Sequence, residues 1–393
     1  MQVRNYLNYW SSRYKEDMLQ DIMPFWAKYG WDQKNGGIYT CIDRDGTLMD
    51  STKSVWFQGR FAYICAFAYN HLEKSEQWLV MSKSCIDFFT NHCTDDSGRM
   101  YFEVTASGEP IRMRRYVFSE SFAALALAEY SLATGDHAYA VRALAVFKNI
   151  QRFIATPGLL EPKYDDFVQM KSHSIVMILL NVAAGIRKVI QDPCLEKQIN
   201  QSIDELTHDF VQPQYKALFE TVGLHGEFID TMVGRTINPG HCIETSWFLL
   251  EEAKYRNWDS KIKSLALQIL EWSWEWGWDK KYGGIINFKD CKNFPSQDYS
   301  QDMKFWWPQT EIIIASLYAY QATKDEKYLK RHQLVSDWAY AHFSDHEKGE
   351  WIGYLHRDGT IAQSAKGNIF KGPFHVPRMM TKCYSLCQEL LNE

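Results

Sequence analysis

One glycine-rich phrase recurs along this chain and constrains the fold more than any other feature. Its copies begin at Gly30, Gly277 and Ser344 and read GWDQKNGGIYTCIDRDG, GWDKKYGGIINFKD and SDHEKGEWIGYLHRDG, and a weaker fourth copy lies within 95–130. Glycines beside alternating apolar residues, with a terminal Asp-Gly in two copies, predict a β-hairpin. The apolar run after each copy predicts a buried helix. Because one such unit cannot bury a core alone, the copies must stack on one another.

The helical pattern between these phrases predicts an all-α closed double ring. Inner helices are expected to start near positions 58, 120, 173, 241, 308 and 375. The segments 121–133 and 174–186 are apolar nearly all round, which indicates burial between neighbours. Segments such as 75–93, 137–155, 194–211 and 326–343 are amphipathic and predict an outer layer. Without any linker-like tract, we expect a single domain over 1–393, with the hairpins at one end of the ring, beside the inner-helix N-termini.

Composition excludes several classes of function. The 43 Lys and Arg residues against 48 Asp and Glu give a net charge of −5, with no strong basic block, and the RMRR cluster at 112–115 is short. We therefore expect no nucleic-acid partner. No apolar stretch is long enough to span a bilayer, and MQVRNYLNYW does not read as a signal peptide, so no membrane association is expected. Nine cysteines without a CxxC pair favour reduced thiols and a cytoplasmic location.

Polar and aromatic residues open the otherwise apolar inner helices, and we expect them to line a funnel. They are Trp56, Gln58, Arg60, Ser119, Glu120, His173, His241, Glu244, Trp247, Trp306, Trp307, Glu311, His375 and Arg378. Flat apolar rings beside carboxylates, amides and guanidinium groups are typical of sites for polyhydroxylated ligands. The alternative for each tryptophan is that it packs the mouth of the ring.

Two histidines occupy equivalent places in different repeats. His241 and Glu244 are three residues apart, as are His375 and Arg378, so each pair shares one helix face. Histidine can both take and return a proton near neutral pH. A matched pair at one funnel predicts acid–base chemistry by His241 and His375.

Motifs for other chemistry are missing. The sequence contains no HExxH and no Cys/His cluster with ligand spacing, and Arg378 next to a would-be ligand disfavours a divalent cation, so no metal site is predicted. The absence of GxxxxGK[ST], of GxGxxG after a strand and of GxSxG removes sequence support for phosphoryl transfer, hydride transfer and a serine triad.

Several motifs together carry a family resemblance over essentially the whole chain. They are WFQGR (56–60), NPGH (238–241), MKFWWPQTE (303–311), WIGYLHRDG (351–359) and KGNIFKGPFHVPR (366–378). With them the sequence resembles the N-acylglucosamine 2-epimerase family. The resemblance implies an (α/α)6 barrel, interconversion of N-acylglucosamine and N-acylmannosamine, no required metal or nicotinamide, and His241 and His375 as the two catalytic histidines.

Inversion at C2 needs a carbonyl at C1, so the sugar ring must first open. One histidine then removes the C2 proton, an enediolate forms, and the other histidine protonates the opposite face. Arg60 and Arg378 are expected to stabilise the enediolate oxygen, and Glu244 and Glu311 to orient the histidines or hold hydroxyls. Trp56, Trp307, Gln58 and His173 are expected to bind the sugar. The resemblance further implies that His173 assists ring opening, because a histidine in this region of the barrel does so in the disaccharide-acting relatives.

Other functions remain open at this stage. An aldose–ketose isomerase, or a 2-epimerase of an unacylated sugar such as mannose or cellobiose, would share the first proton abstraction. A glycoside hydrolase could use Glu120, Glu244 and Glu311. A catalytically silent sugar- or protein-binding module is the third alternative.

The sequence also bears on regulation and assembly. Vertebrate family members respond to ATP and carry a Gly-, Ser- and Thr-rich segment ahead of the third inner helix. The corresponding segment here, 157–173, carries Glu161, Asp165 and Asp166, which disfavour a phosphate group, so allosteric activation by ATP is not expected. Whether the protein is a homodimer is left open by the sequence.

Overall fold

Helices alternate between an inner and an outer ring in the computed structural model, which describes residues 3–164 and 167–393. Asp165 and Asp166 therefore lie outside the described residues. The inner ring consists of α3 (Val55–His71), α5 (Phe118–Thr134), α7 (His173–Arg187), α9 (Pro239–Tyr255), α11 (Trp306–Thr323) and α13 (His375–Asn392). The outer ring consists of α1 (Val3–Asp17), followed by the short α2 (Met23–Tyr29), and of α4 (Glu76–His92), α6 (His137–Ala155), α8 (Pro193–Glu205), α10 (Ser260–Gly277) and α12 (Glu326–Phe343).

The predicted (α/α)6 barrel is confirmed, and each inner helix starts within three residues of its predicted position. The two ends of the chain close the ring, because α1 packs against α13. Gln388 of α13 donates from Nε2 to Ser11 Oγ at 2.6 Å. Tyr6 and Tyr14 of α1 both hydrogen-bond the buried imidazole of His332 on α12, at 2.6 and 2.9 Å.

Burial follows the two kinds of helix that the sequence predicts. Every residue of α5 from Ser119 to Ser131 is buried, as expected for an inner helix with neighbours on all sides. By contrast, α6 buries one stripe, Ala140, Ala143, Phe147, Ile150 and Phe153, at three- and four-residue spacing. Its opposite face is solvated, which is the pattern of a helix that covers a core from outside.

Short strands gather where the inner helices begin. They are β1 (Lys53–Ser54), β2 (Glu103–Val104), β3 (Pro110–Arg112), β4 (Met170–Ser172), β5 (Val211–Gln212), β6 (Ala217–Leu218), β7 (Thr221–Gly223), β8 (Thr236–Ile237), β9 (Lys289–Asp290), β10 (Lys304–Phe305), β11 (Tyr354–Leu355) and β12 (Ile361–Gln363). All pairings are antiparallel, in the orders β1-β2-β3, β10-β11-β12, β4-β7, β5-β6 and β8-β9. Strands β1, β4, β8 and β10 lead almost directly into inner helices, so the strands lie at one end of the barrel.

Each of the three strong phrases begins with a tight turn rather than the predicted hairpin with extended strands, but the copy at Ser344 continues into the β11-β12 hairpin. A single bridge closes each of these turns, Trp31 with Ile38, Trp278 with Ile285 and Ser344 with Trp351, and a second bridge, Ile42 with Leu48, follows in the first copy. Asp32 explains the first copy, because its Oδ1 accepts hydrogen bonds from the backbone N–H groups of Lys34 and Asn35. These side-chain hydrogen bonds replace the ladder of a regular hairpin.

A buried lysine then ties each turn to the next inner helix. Lys53, which is fully buried just before α3, places its Nζ 2.7 Å from Asp32 Oδ2. The equivalent pairs are Lys304 with Asp279 at 3.0 Å and Lys366 with Asp345 at 2.7 Å. The phrase thus recurs because each turn anchors the start of an inner helix.

Two further observations concern the environment of the chain. Among the described helices, none combines the length and the apolar character needed to cross a bilayer. The nine cysteines of the chain, all within the described residues, are free thiols.

Candidate active site

A cavity of about 400 Å³ opens at the strand-bearing end of the barrel and receives side chains from every inner helix. This volume is within the usual range for small-molecule sites. Its walls include Trp56, Arg60, Phe118, Phe122, Met177, Ile178, Asn181, Glu220, His241, Glu244, Phe248, Trp306, Trp307, Phe374, His375 and Arg378. The structure therefore brings together most of the residues predicted to line the funnel.

The sequence NPGH fixes His241 at the start of α9. Asn238 caps the helix, with its Oδ1 accepting the backbone N–H of His241 at 3.2 Å, and Pro239 takes the first helical position. Gly240 is required by a close approach, because a Cβ there would lie 2.4 Å from the indole of Trp307. The missing side chain lets Trp307 pack against the imidazole of His241, with ring centroids 5.2 Å apart.

His241 is held by a carboxylate that the sequence analysis missed. Its Nδ1 lies 2.9 Å from Oε2 of Glu220. With Nδ1–H donating to this carboxylate, Nε2 is the nitrogen left for a ligand. Burial alone would lower the pKa of His241, but the charge of Glu220 and its hydrogen bond outweigh burial and raise that pKa above its usual value.

Backbone hydrogen bonds on both sides fix Glu220 between the starts of two inner helices. His173 N–H donates to the carbonyl of Glu220 at 3.0 Å, and the N–H of Glu220 donates to the carbonyl of Thr236 at 3.1 Å. Glu220 lies between β6 and β7, outside any helix, so the search for polar residues at helix starts did not reach it.

His375 has a matching carboxylate partner. Its Nδ1 lies 2.8 Å from Oε1 of Glu311, while Oε2 of Glu311 accepts the indole N–H of Trp247 at 2.8 Å. Burial lowers the pKa of His375 well below its usual value, and the nearby charges of Arg378 and Arg60 lower it further. The two histidines are thus built alike but differ in proton affinity, since His241 is favoured in the charged form and His375 in the neutral form.

Arg378 connects the two carboxylates of this wall. Its Nη2 donates to Glu244 Oε1 at 2.6 Å and to Glu311 Oε1 at 2.7 Å. Burial acts to lower the pKa of Arg378, but the charges of Glu311 and Glu244 raise it overall. Arg378 therefore stays charged, and Glu244 serves Arg378 rather than a histidine.

Arg60 is a cation without an anionic partner among the described residues. Its guanidinium carbon lies 4.6 Å from the ring centroid of Trp56, 4.2 Å from that of Phe122 and 4.6 Å from that of Phe374. Burial, and secondarily Arg378, lower the pKa of Arg60 to about 9, so it is still charged at neutral pH. An unpaired guanidinium among aromatic rings at a cavity wall suits a negative charge that develops on a ligand.

The charges of the site nearly balance. Three carboxylates, those of Glu220, Glu244 and Glu311, face the two guanidinium groups of Arg60 and Arg378. One proton on the pair of imidazoles makes this set neutral, which is the cheapest state for a buried cluster. The chemically relevant state thus has one neutral and one protonated histidine, as acid–base chemistry by two histidines requires.

Two tryptophans lie where the sequence analysis expected them. Trp307 packs against both histidines, with its ring centroid 5.2 Å from that of His241 and 5.8 Å from that of His375. Trp56 lines the cavity and donates its indole N–H to the carbonyl of Ile369 at 3.2 Å. Both offer an apolar face to a ligand.

Several residues predicted to line the funnel lie elsewhere. Gln58 is fully buried, and its amide bonds the backbone N–H and C=O of Ile38 at 2.8 and 3.0 Å, so its predicted role in sugar binding is wrong. Gln309 does the same to Ile285, and Glu120 accepts the N–H of Met100 in the equivalent place. Gln58, Gln309 and Glu120 thus join the glycine-rich turns to the inner helices, as the buried lysines also do.

His173 is also displaced from the cavity wall. It is fully buried behind His241, with Nε2 2.8 Å from Thr245 Oγ1 and Nδ1 3.8 Å from Glu220 Oε2. Its predicted contact with the sugar during ring opening is therefore not supported by its position. Ser119, Trp247 and Glu311 likewise lie outside the wall, although Glu311 makes the hydrogen bond to His375 that its predicted orienting role requires.

Two groups of potential metal ligands lie in this region. They are His173, Glu220 and His241, and Glu244, Glu311 and His375, with ligand atoms within 4.8 Å of one another in each group. In the second group, Arg378 already donates to both carboxylates and lies 3.3 Å from His375 Nδ1. In the second group, the guanidinium of Arg378 thus supplies the positive charge that a metal ion would bring. In the first group, the atoms that could bind a metal ion, Nδ1 of His241 and Oε2 of Glu220, are already hydrogen-bonded to each other.

Known proteins resemble this chain in sequence and in fold. The sequence profile of the N-acylglucosamine 2-epimerase (GlcNAc 2-epimerase) family matches residues 37–372. N-acylglucosamine 2-epimerase from Bos taurus is 32% identical, with 98% of this chain and 92% of the relative covered, and that from Homo sapiens is 31% identical, with 99% and 91% covered. Cellobiose 2-epimerase from Bacillus thermoamylovorans shares the fold, with a TM-score of 0.86, 24% identity and 97% and 100% of the two chains covered. The chain belongs to the N-acylglucosamine 2-epimerase family.

Proposed function

We propose that the protein interconverts N-acetylglucosamine and N-acetylmannosamine by inverting C2 of the open-chain sugar. The observation that carries the proposal is the pair of imidazoles, each held at Nδ1 by its own carboxylate, on the wall of one cavity. The names of the relatives at 31–32% identity supply the substrate class.

The proposed reaction needs one base and one acid. In one direction the neutral His375 removes the C2 proton at Nε2, and the electron pair of the C–H bond moves into the C1 carbonyl to form an enolate. The protonated His241 then delivers a proton from Nε2 to the opposite face of C2. The proton has moved from one histidine to the other, so exchange with solvent must restore the starting state before the next turnover.

Arg60 is the group proposed to stabilise the enolate oxygen, because it is charged and has no ion-pair partner among the described residues. Arg378 is already satisfied by Glu244 and Glu311, and its proposed role is to keep those carboxylates in place. The aromatic face of Trp307 positions the sugar between the histidines.

Substrate and product of this reaction have the same oxidation state and composition. Proton transfer through two histidines balances every atom and electron, so we propose that no nicotinamide and no metal ion is required. We also propose that ATP is not an allosteric activator, because the carboxylate of Glu161, on the segment ahead of α7, disfavours a phosphate group.

The test is incubation of the protein in deuterated water with N-acetylglucosamine, N-acetylmannosamine, mannose and cellobiose, followed by NMR. The expected result is deuterium at C2 of both N-acetylated sugars and approach to one equilibrium mixture from either side. Label at C1 of a ketose would instead identify an aldose–ketose isomerase. Inversion of mannose or cellobiose in preference to the acylated sugars would identify an epimerase of unacylated sugars, and no label at all would refute epimerisation.

A further inference from the structure

The α7 side of the cavity differs from the side that carries the histidines. Met177, Ile178 and Asn181 lie on one face of α7, because residues three and four apart are neighbours on a helix. On the two inner helices that pack against α7, the cavity is lined by Phe122 of α5, which also contacts Arg60, and by Phe248 of α9. The four apolar side chains are 4–6% exposed, so only their inner surfaces meet the cavity. We call these five residues the α7 recess.

Asn181 is the polar group of the α7 recess, and its carboxamide is uncommitted. It makes no hydrogen bond to another described residue, although it lines the cavity and is only partly exposed. By contrast, the carboxylates of Glu220 and Glu244 in the same cavity are held by His241 and Arg378. A carboxamide offers two donor hydrogens and an acceptor oxygen, and a half-buried one without partners favours a ligand that can pair with it.

The recess adjoins the reacting groups. Phe248 follows Glu244 by four residues and His241 by seven on α9, so the three side chains share one face of that helix. A substituent on the carbon that His241 protonates can therefore extend along this face toward Phe248 and α7. In an N-acetylated sugar, that substituent is a secondary amide that ends in a methyl group.

We propose that the α7 recess is the subsite for the N-acyl group of the substrate. The carboxamide of Asn181 hydrogen-bonds the acyl amide, and Met177, Ile178, Phe122 and Phe248 enclose the acyl methyl. An amide side chain pairs with an amide ligand through both donor and acceptor, and an apolar wall accepts the methyl without losing a hydrogen bond. This inference rests on the proposed epimerisation and adds what selects an acylated sugar.

Two quantitative expectations follow from the proposed α7 recess. Loss of the Asn181 carboxamide should weaken recognition of an acylated ligand about tenfold, as for a lost hydrogen bond at a partly buried site, and leave recognition of an unacylated one unchanged. Shortening Met177 should enlarge the space for the acyl chain. Because one methylene in an apolar pocket changes selectivity about tenfold or more, an N-propanoyl sugar should gain on the N-acetyl sugar by about that factor.

The experiment compares the wild type with Asn181→Ala, Asn181→Asp and Met177→Ala. Binding of N-acetylglucosaminitol and of glucitol, open-chain alditols without a carbonyl, is measured by calorimetry. Deuterium exchange at C2 of N-acetylmannosamine and N-propanoylmannosamine gives kcat/KM. Ser174→Ala is the matched control, since Ser174 lines the cavity on the same helix but outside the recess. Asn181→Asp preserves shape and removes the NH2 donor, which guards against a misfolded Ala variant.

The proposal predicts that both Asn181 variants lose about tenfold in affinity for N-acetylglucosaminitol but not for glucitol, that Met177→Ala shifts the acyl-chain preference about tenfold, and that Ser174→Ala does neither. The subsite is overturned if the wild type exchanges C2 of N-acetylmannosamine while folded Asn181 variants keep wild-type affinity for N-acetylglucosaminitol, or lose affinity for both alditols equally. It is also overturned if the acyl-chain preference does not move in Met177→Ala. A wild type without any C2 exchange refutes the epimerisation itself, which is a different outcome.

Discussion

Replacing Glu220 with Gln should move the pH dependence of the reaction in a direction that the structure fixes. The active enzyme carries one proton on the imidazole pair, and the raised pKa of His241 places that proton mainly on His241. The rate therefore falls at high pH when this proton leaves and at low pH when His375 also becomes protonated. Glu220→Gln keeps a hydrogen-bond acceptor for Nδ1–H and removes the negative charge.

The size of the shift follows from the charge separation. Nδ1 of His241 and Oε2 of Glu220 are 2.9 Å apart. Two unit charges whose centres are about 4 Å apart interact by about 4 kcal/mol at an effective dielectric of about 20. The amide dipole replaces part of this energy, and Glu244 and Glu311 still raise the pKa of His241. We therefore expect the high-pH limb of kcat/KM to move down by about one to two pH units, with about a 10–100-fold lower maximum.

The assay is initial-rate epimerisation from both sugars across the pH range. Both directions should show the same profile, because the two reactive forms of the free enzyme carry the same number of protons. Glu220→Asp is the control, since it retains the charge and should lose rate without moving the limb. If Glu220→Gln loses activity while its high-pH limb stays in place or moves up, Glu220 does not set the proton affinity of His241.

Other variants test the remaining assignments. Ala at His241 or at His375 should each lower net epimerisation about a hundredfold or more. The His375→Ala variant should cost about 1–2 kcal/mol of unfolding free energy, because His375 is buried against Glu311, and denaturant unfolding beside rate measurements would show both effects. Gln58→Leu and Gln309→Leu should each lower the free energy of unfolding by about 2–4 kcal/mol, because backbone groups of Ile38 or Ile285 lose their hydrogen-bond partners. The kcat/KM of the folded Gln58→Leu protein should stay near the wild-type value. A loss of activity in this folded variant would show that Gln58 belongs to the active site. Burial lowers the pKa of His332 to about 3, so this histidine binds a proton in the unfolded chain before it does so in the folded protein as pH falls. His332 should therefore lower the free energy of unfolding by about 1.4 kcal/mol for each pH unit below about pH 6.5. Denaturant unfolding of His332→Phe should show a smaller dependence on pH.

The architecture was predictable from the sequence because its signals are local and repeated. An apolar run marks each inner helix and a glycine-rich phrase marks the anchoring turns, so the starts of the six inner helices were predicted within three residues. The histidines were found for the same reason, since both lie at equivalent helix starts. The first half of each phrase was also assigned to a hairpin, because alternating apolar residues are typical of one, whereas in the first copy Asp32 and Lys53 close a tight turn through their side chains.

The direction in which each side chain points was harder to predict from the sequence than its position on a helix. Gln58 and Arg60 are two residues apart on α3, so they point to different sides of the helix, and only Arg60 reaches the cavity. Position at a helix start therefore does not imply exposure to the funnel, as Glu120 and His173 also demonstrate. Glu220 escaped detection because long-range backbone pairing, between β4 and β7 and with Thr236, brings it to His241. No local pattern encodes that contact.

The central claim, that two histidines serve opposite faces of C2, is tested most directly by deuterium washout with single His→Asn variants. Each variant is incubated with N-acetylglucosamine and with N-acetylmannosamine in deuterated water, and both C2 exchange and inversion are followed by NMR. We predict that His375→Asn exchanges the C2 hydrogen of one epimer alone, that His241→Asn exchanges that of the other alone, and that neither inverts C2. Loss of exchange with both epimers in both variants, or inversion by either variant at more than about a hundredth of the wild-type rate, would contradict a two-base reaction and require a single mobile base or a coupled relay in its place.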